Sequence, residues 1–254
     1  MLKWINIATF VLTVVVNGLA GSTTLIGGVD TAQISDANPT LITPAGYVFA
    51  IWGAIYVLLG IFVVFQALPS QEGKEYQGKI SWLFVLGSLA NIIWLFLWQY
   101  EYLSYSIIMM LVLLMSLILI YLRLGIGKSN APMLERLAVH LPFSVYLGWI
   151  TIATIANIAV TAVSVNWDGF GINPEIWAIL ILLVAHTVTM LIIVTRRDIG
   201  YTMVIIWALV GIAENQSANP TIVLLAQGSA TIVAILLVAT VILTRLRYET
   251  KGLT

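Results

Sequence analysis

Residues 104–124 read SYSIIMMLVLLMSLILIYLRL, an apolar run whose one charged residue, Arg123, stands next to its end. About 20 apolar residues in helical form cross the hydrocarbon core of a bilayer, since each residue of an α-helix rises roughly 1.5 Å. This run therefore has the length and composition of a transmembrane helix. The whole chain shares its character, because 61% of the 254 residues are hydrophobic and 9% are charged, whereas a soluble domain carries about a quarter charged residues.

Seven further segments meet or approach the length that spans a bilayer. The sequence predicts an all-α membrane bundle of eight transmembrane helices, at about residues 4–21, 44–68, 80–99, 104–124, 134–163, 174–195, 199–214 and 220–244. The seventh segment is short, and polar residues follow it from Glu214 to Ser217.

The charges in the loops support this count. Lys and Arg accumulate in the cytoplasmic loops of membrane proteins. With the N-terminus inside, all 11 of them fall on that side: Lys3, Lys74, Lys79, Arg123, Lys128, Arg136, Arg196, Arg197, Arg245, Arg247 and Lys251. The opposite loops contain no Lys or Arg, and their charged residues are all acidic: Asp30, Asp36, Glu101, Asp168, Glu175 and Glu214. We therefore expect a multi-pass protein of a bacterial or archaeal plasma membrane with both termini in the cytoplasm.

The composition excludes several functional classes. A net charge of zero gives no basic excess for nucleic acid, and the absence of cysteine removes disulfides, thiolate metal sites and cysteine nucleophiles. Two histidines are too few for a zinc site, and His186, alone in the sixth helix, is interpreted as a neutral ring bonded to a neighbouring helix rather than as a haem ligand. Because buried carboxylates suited to acid and base chemistry are missing, we predict no conventional enzyme.

Aromatic and amide side chains lie deep in the second, third and fifth helices. The aromatic members are Trp52, Tyr56, Trp94, Tyr146 and Trp149. Asn91 and Asn157 accompany them, and an amide in hydrocarbon needs a partner, so both should face the bundle and bond another helix, a backbone carbonyl or a ligand. Helix direction places the tryptophans and both amides in the middle to outer half of the bilayer, beneath the loop at residues 22–43. This loop is either a lid or a passive solvated loop. Such walls suit a flat apolar ligand with a polar edge, although the same residues also serve interhelical packing.

Three motifs occur in order on these helices. The second helix begins with PAGYVFAIWGAIYVLLG at residues 44–60, the third has Asn91 two residues before Ile93-Trp94, and the fifth combines Pro142, Tyr146, Trp149, Ala153 and Asn157. Over about residues 1–165 they resemble the signatures of the translocator protein family (TspO/MBR), the tryptophan-rich sensory proteins. Ala45 stands where that family has a second proline, and Tyr47 where it has a tryptophan that lines the ligand pocket.

The resemblance implies a five-helix ligand-binding bundle at residues 1–165, followed by three additional transmembrane helices at residues 166–254. It implies a sensor or carrier whose pocket, closed by the first outer loop, binds a porphyrin, haem or sterol-like ligand, with no required cofactor. Light-dependent porphyrin breakdown is the one reaction that it implies. The wall positions carried over to this chain are Tyr47, Trp52, Tyr56, Asn91, Trp94, Tyr146, Trp149, Ala153 and Asn157.

Two other functional hypotheses follow from the residues. In a small-solute secondary transporter, helices six to eight would complete a path lined by Gln66, His186, Glu214 and Gln227. An intramembrane enzyme acting on lipid or pigment is disfavoured by the missing carboxylates. A strip of small residues on the second helix (Gly46, Ala50, Gly53, Ala54 and Gly60) favours close helix packing within the chain, with a homodimer as the alternative. The expected partners are the lipid bilayer and a hydrophobic small molecule.

Overall fold

The computed structural model describes residues 2–23, 25–29 and 31–251, and their side chains except those of Ser22 and residues 244–251. Asp30 lies outside the described residues, as do the side chains of Arg245, Arg247 and Lys251. All regular elements in the described part are helices, which confirms the predicted all-α class. In chain order they are α1 Leu2–Ser22, α2 Thr31–Ala37, α3 Ile51–Ala67, α4 Glu75–Ile80, α5 Leu83–Gln99, α6 Leu103–Leu124, α7 Met133–Ser164, α8 Pro174–Arg196, α9 Ile199–Asn215 and α10 Pro220–Lys251.

Six stretches among the described residues are long and apolar enough to cross a membrane. They are Leu2–Gly21, Gly46–Ala67, Leu103–Leu124, Met133–Ser164, Pro174–Arg196 and Pro220–Leu243. The apolar helices α5 and α9 have 17 residues each; at 1.5 Å per residue they measure about 26 Å, less than the roughly 30 Å of a hydrocarbon core. The chain is therefore an integral multi-pass membrane protein.

Two segments differ from their predicted form. The stretch predicted as a loop at residues 22–43 contains the short helix α2, which buries Ile34 and Ser35. The predicted third helix at 80–99 begins only at Leu83, because Ser81 adopts a positive φ of 48° and so ends α4. A left-handed residue cannot continue a right-handed helix.

Helix α9 packs directly against α7, and two glycines make the approach possible. A Cβ added at Gly148 would lie 3.0 Å from the carbonyl oxygen of Tyr201, and one added at Gly200 would lie 2.6 Å from Ser144 Oγ. The helices on the two sides of residue 165 therefore share an interface, and the division of the chain there stays a prediction. On α3, Gly60 lies against Phe10 of α1, whereas a Cβ at Gly53 would meet nothing within 4 Å.

The expectation that buried carboxylates are missing is wrong at Asp198. This residue caps the N-terminus of α9 and is 6% exposed, because α9 begins against α7. Its Oδ1 accepts hydrogen bonds from Ser144 Oγ and, at 3.3 Å, from the backbone N–H of Tyr201. The carboxylate thus fixes the start of α9 to α7.

Candidate functional site

Trp52 lies at the centre of an aromatic cluster built by α3, α5 and α7. Its ring stacks on Tyr56 at 5.7 Å and on Trp94 at 6.1 Å between centroids. It meets Tyr146 at 6.0 Å and Trp149 at 6.1 Å in edge-to-face contacts. Trp52 and Tyr56 are one turn apart on α3, and Tyr146 and Trp149 on α7, so each helix presents both rings on one face. The predicted meeting of indole rings from three helices is confirmed.

A cavity of about 290 Å³ lies beside this cluster. We call it the aromatic cavity; it is lined by Asn17, Gly21, Thr31, Ala32, Phe49, Trp52, Tyr56, Trp94 and Leu95. A second cavity of about 30 Å³ shares part of that wall and extends to Trp149, Ala153 and Asn157. Ligand pockets in proteins measure about 300–1,000 Å³. The aromatic cavity is just below that range, and the smaller one has room only for water.

The two predicted amides are buried, and each is bonded to another helix. Asn91 is fully buried, and its Oδ1 accepts a hydrogen bond from Asn17 Nδ2 of α1 at 2.8 Å. Asn157 Oδ1 accepts from Trp94 Nε1 at 2.8 Å and is also bonded to Ser106. The prediction that both side chains face the bundle and bond other helices is confirmed.

Three polar atoms of this cluster are buried without a partner among the described residues. They are the Tyr56 hydroxyl, Asn91 Nδ2 and Trp149 Nε1. Buried polar groups are nearly always paired, and an unpaired donor costs about 1–3 kcal/mol. Each of the three groups can donate a hydrogen bond. The cluster is therefore suited to a bound molecule that supplies acceptor atoms.

Of the nine predicted wall residues, six line the two cavities, two lie behind them and one lies apart. Trp52, Tyr56 and Trp94 line the aromatic cavity, and Trp149, Ala153 and Asn157 line the smaller one together with Trp52 and Trp94. Asn91 and Tyr146 are buried behind this wall. Tyr47 lies apart from it: the residue is 41% exposed, and its ring packs edge-on against Trp207 of α9 at 5.1 Å.

Sequence reasoning missed three residues of the site. Trp98 lies one turn after Trp94, and its Nε1 donates to the carbonyl of Thr31 at 3.2 Å. Phe49 packs edge-on against Trp149 at 5.8 Å. Asn17, the partner of Asn91, is an amide in an otherwise apolar stretch of α1. The sequence contained a signal for two of them: Trp98 is spaced one helical turn from Trp94, and Asn17 is an isolated amide among apolar residues.

The family model described as TSPO-like protein matches residues 3–242 of the chain. The match extends from the part that carries the three motifs through α8 and α9 and into α10. No curated protein and no solved structure matches the chain. By this match over nearly its whole length, the chain belongs to the TSPO-like protein family.

Proposed function

We propose that this protein binds a planar hydrophobic ligand with hydrogen-bond acceptors at its edge, in the aromatic cavity, and acts as a sensor or carrier for it. The ligand class that fits is a porphyrin, haem or a sterol-like molecule. Membership of the TSPO-like family supports a membrane ligand-binding or sensor role. The observation that carries the proposal is the stacked pair Trp52 and Trp94 at the wall of a cavity, with the unpaired Trp149 Nε1 next to them.

The chemistry of the wall supports a flat ligand with an apolar face. Trp52 and Trp94 both line the aromatic cavity, and their rings are large apolar surfaces against which a planar ring can pack. Of the unpaired donors, the Tyr56 hydroxyl lines the aromatic cavity and Trp149 lines the smaller one, so these two would meet carboxylate or carbonyl oxygens at the edge of that ring. Among the described residues that line the two cavities, none is a histidine or methionine, so a haem would be held by its ring and its propionates.

The small size of the cavity restricts how a large ligand could bind. At about 290 Å³ the aromatic cavity is just below the range for ligand pockets. A ligand as large as a tetrapyrrole therefore needs the segment above the cavity to move. This segment includes Thr31, Ala32 and Phe49.

We propose eight spans with both termini in the cytoplasm of a bacterial or archaeal cell. The short helices α5 and α9 each pack along a long span, α6 and α7 respectively, and this supports a transmembrane position for both. The chain has no cysteine, so single reporter thiols are unambiguous. With this topology Val165→Cys and Ser217→Cys react with an impermeant maleimide in intact cells, and Lys128→Cys reacts only after lysis. Reaction of Ser217→Cys only after lysis would mean that α9 does not cross.

A fluorescence titration of the full chain in detergent tests ligand binding. We expect protoporphyrin IX to quench tryptophan emission saturably at micromolar concentration. Trp149→Phe keeps a ring but removes the indole donor, so it should weaken binding about fivefold, the effect of one hydrogen bond of roughly 1 kcal/mol. The matched control is Trp82→Phe, because Trp82 is exposed and lines neither cavity. Linear, non-saturable quenching, or equal affinity in the two variants, would contradict the proposal.

The transporter hypothesis has no observation in its favour. Gln66 is buried at the contact with Asn6, whose Nδ2 donates to its Oε1 at 3.0 Å. Glu214 and Gln227 are exposed, and none of the four residues that the hypothesis needs lines either cavity. It therefore stays a prediction, as does the homodimer.

A further inference from the structure

Residues 31–50 close the aromatic cavity on one side, and we call this segment the roof. Its residues Thr31, Ala32, Ser35, Pro44 and Phe49 line one or both cavities. On the cavity side, the roof is held by the hydrogen bond from Trp98 to Thr31 and by the ring contact of Phe49 with Trp149. Its opposite side rests on α9.

Helix α9 and the residue after it hold the roof through side-chain hydrogen bonds to backbone carbonyls. The three are Trp207 Nε1 to Val48 at 3.2 Å, Asn215 Nδ2 to Thr43 at 3.1 Å, and Gln216 Nε2 to Thr40 at 3.0 Å. These bonds run along the second half of the roof, next to the cavity residues Pro44 and Phe49. The carbonyls of Thr40 and Val48 also accept local backbone bonds, from Thr43 and Ile51, whereas the donors to the Thr43 carbonyl come from Asn215 and Gln216.

Backbone contact reinforces these bonds at Gly211. The N–H of Ala45 donates to the carbonyl of Gly211 at 3.0 Å. Val48, which is fully buried, lies against the same glycine so closely that a Cβ added there would overlap Val48 Cγ2. The absence of a side chain at Gly211 therefore lets the roof lie directly on α9.

We propose that α9 is a clamp on the roof, and that Trp207, Gly211 and Asn215 are positioning residues that set how readily the aromatic cavity opens. The consequence for ligand exchange rests on the proposed function: because the cavity is small and the roof forms one of its walls, lifting of the roof makes room for a large ligand to enter or leave. The opening of the roof itself does not depend on which ligand binds. The clamp gives the part of the chain after residue 165 a role at the site formed by the first five spans.

A reporter thiol on the cavity side of the roof tests the clamp without ligand. Ser35→Cys places the only cysteine of the chain at a position that is 3% exposed and lines the smaller cavity. Its reaction with a water-soluble maleimide in detergent follows the population of the open state when opening and closing are fast. Trp207→Phe keeps the ring but removes the donor to Val48, and we expect labelling to become about fivefold faster, the effect of one lost hydrogen bond. Gly211→Ala should accelerate it as well, because the added methyl displaces Val48.

Two controls separate opening of the roof from general destabilisation. Gly228→Ala on α10 makes the same substitution where a Cβ meets nothing within 4 Å, and should leave labelling unchanged. Ser116→Cys on α6 is buried and lies outside the lining of both cavities, so its labelling should not respond to the clamp variants. Wild-type labelling rates in both clamp variants, or equal acceleration at Ser35→Cys and Ser116→Cys, would overturn the proposal.

Ligand kinetics supply a second readout. By stopped-flow fluorescence with protoporphyrin IX, Trp207→Phe should raise the association and dissociation rates by similar factors of about five and leave Kd nearly unchanged. A changed Kd with unchanged association would assign Trp207 to ligand contact and contradict the clamp. If protoporphyrin IX does not bind the wild-type chain, the proposed function fails, while the thiol labelling still decides whether α9 clamps the roof.

Discussion

Replacement of Asn157 by leucine tests the polar bond at the centre of the site. Leucine branches at the same carbon as asparagine and is larger, so the change removes an amide without opening a cavity. Trp94 Nε1 then loses its acceptor at 2.8 Å. Ser106 keeps one, because its hydroxyl also donates to the carbonyl of Leu103 at 2.7 Å. The variant therefore leaves one buried donor, Trp94 Nε1, without an acceptor.

The expected loss in free energy of unfolding follows from this single unpaired donor. One unpaired buried donor costs about 1–3 kcal/mol, whereas interhelical hydrogen bonds in membrane proteins couple by about 0.6 kcal/mol on average and about 1.7 kcal/mol at most. We expect Asn157→Leu to lower the free energy of unfolding by about 1–2 kcal/mol, and the Trp94–Asn157 pair to couple by about 1 kcal/mol.

A double-mutant cycle with Trp94→Phe measures this coupling. Phenylalanine keeps an aromatic ring against Trp52 but has no N–H to leave unpaired. Unfolding of the four proteins by denaturing detergent, followed by circular dichroism in mixed micelles, gives the four free energies. Additive losses in the double variant would mean that the indole and the amide do not interact, and would refute the reasoning.

Two further predictions concern the contact of α9 with α7. Asp198→Asn keeps an oxygen that accepts from Ser144 and Tyr201 but loses the carboxylate and places an amide NH2 at the buried, unpaired position of Oδ2, so it should lower the free energy of unfolding by about 1–2 kcal/mol. In Asp168→Asn, where the side chain caps an exposed turn, the loss should stay below about 0.5 kcal/mol, because asparagine caps a helix as well as aspartate does. Equal losses in the two variants would contradict the role given to Asp198. Gly200→Ala places a Cβ 2.6 Å from Ser144 Oγ and should lower the melting temperature in detergent. The control Gly228→Ala places its Cβ in open space and should leave the melting temperature unchanged. The same melting temperature in both variants would show that α9 does not pack closely on α7.

The sequence was sufficient to predict the bundle and the meeting of its aromatic side chains. Hydropathy identifies long apolar segments directly, and the alternating direction of helices brings Trp52, Trp94 and Trp149 to the same depth. The amides were predictable because an unpaired polar group in hydrocarbon is costly. These features depend on local composition and on helix geometry alone.

The features that sequence reasoning missed depend on contacts between distant segments. The seven-residue helix α2 is too short to give a hydropathy signal. Tyr47 lies in the 3₁₀ turn Gly46–Ala50, whose period of three residues per turn changes its direction relative to the α-helical face of Trp52. Burial of Asp198 requires the knowledge that α9 begins against Ser144, since a carboxylate at a helix end ordinarily reaches water.

The structure of the full chain bound to protoporphyrin IX tests the central claim most directly. We expect a porphyrin ring packed on Trp52 and Trp94, acceptor oxygens within hydrogen-bond distance of the Tyr56 hydroxyl or Trp149 Nε1, and residues 31–50 displaced from their present position. A porphyrin bound on the lipid-facing surface, with the aromatic cluster and the roof unchanged, would contradict it.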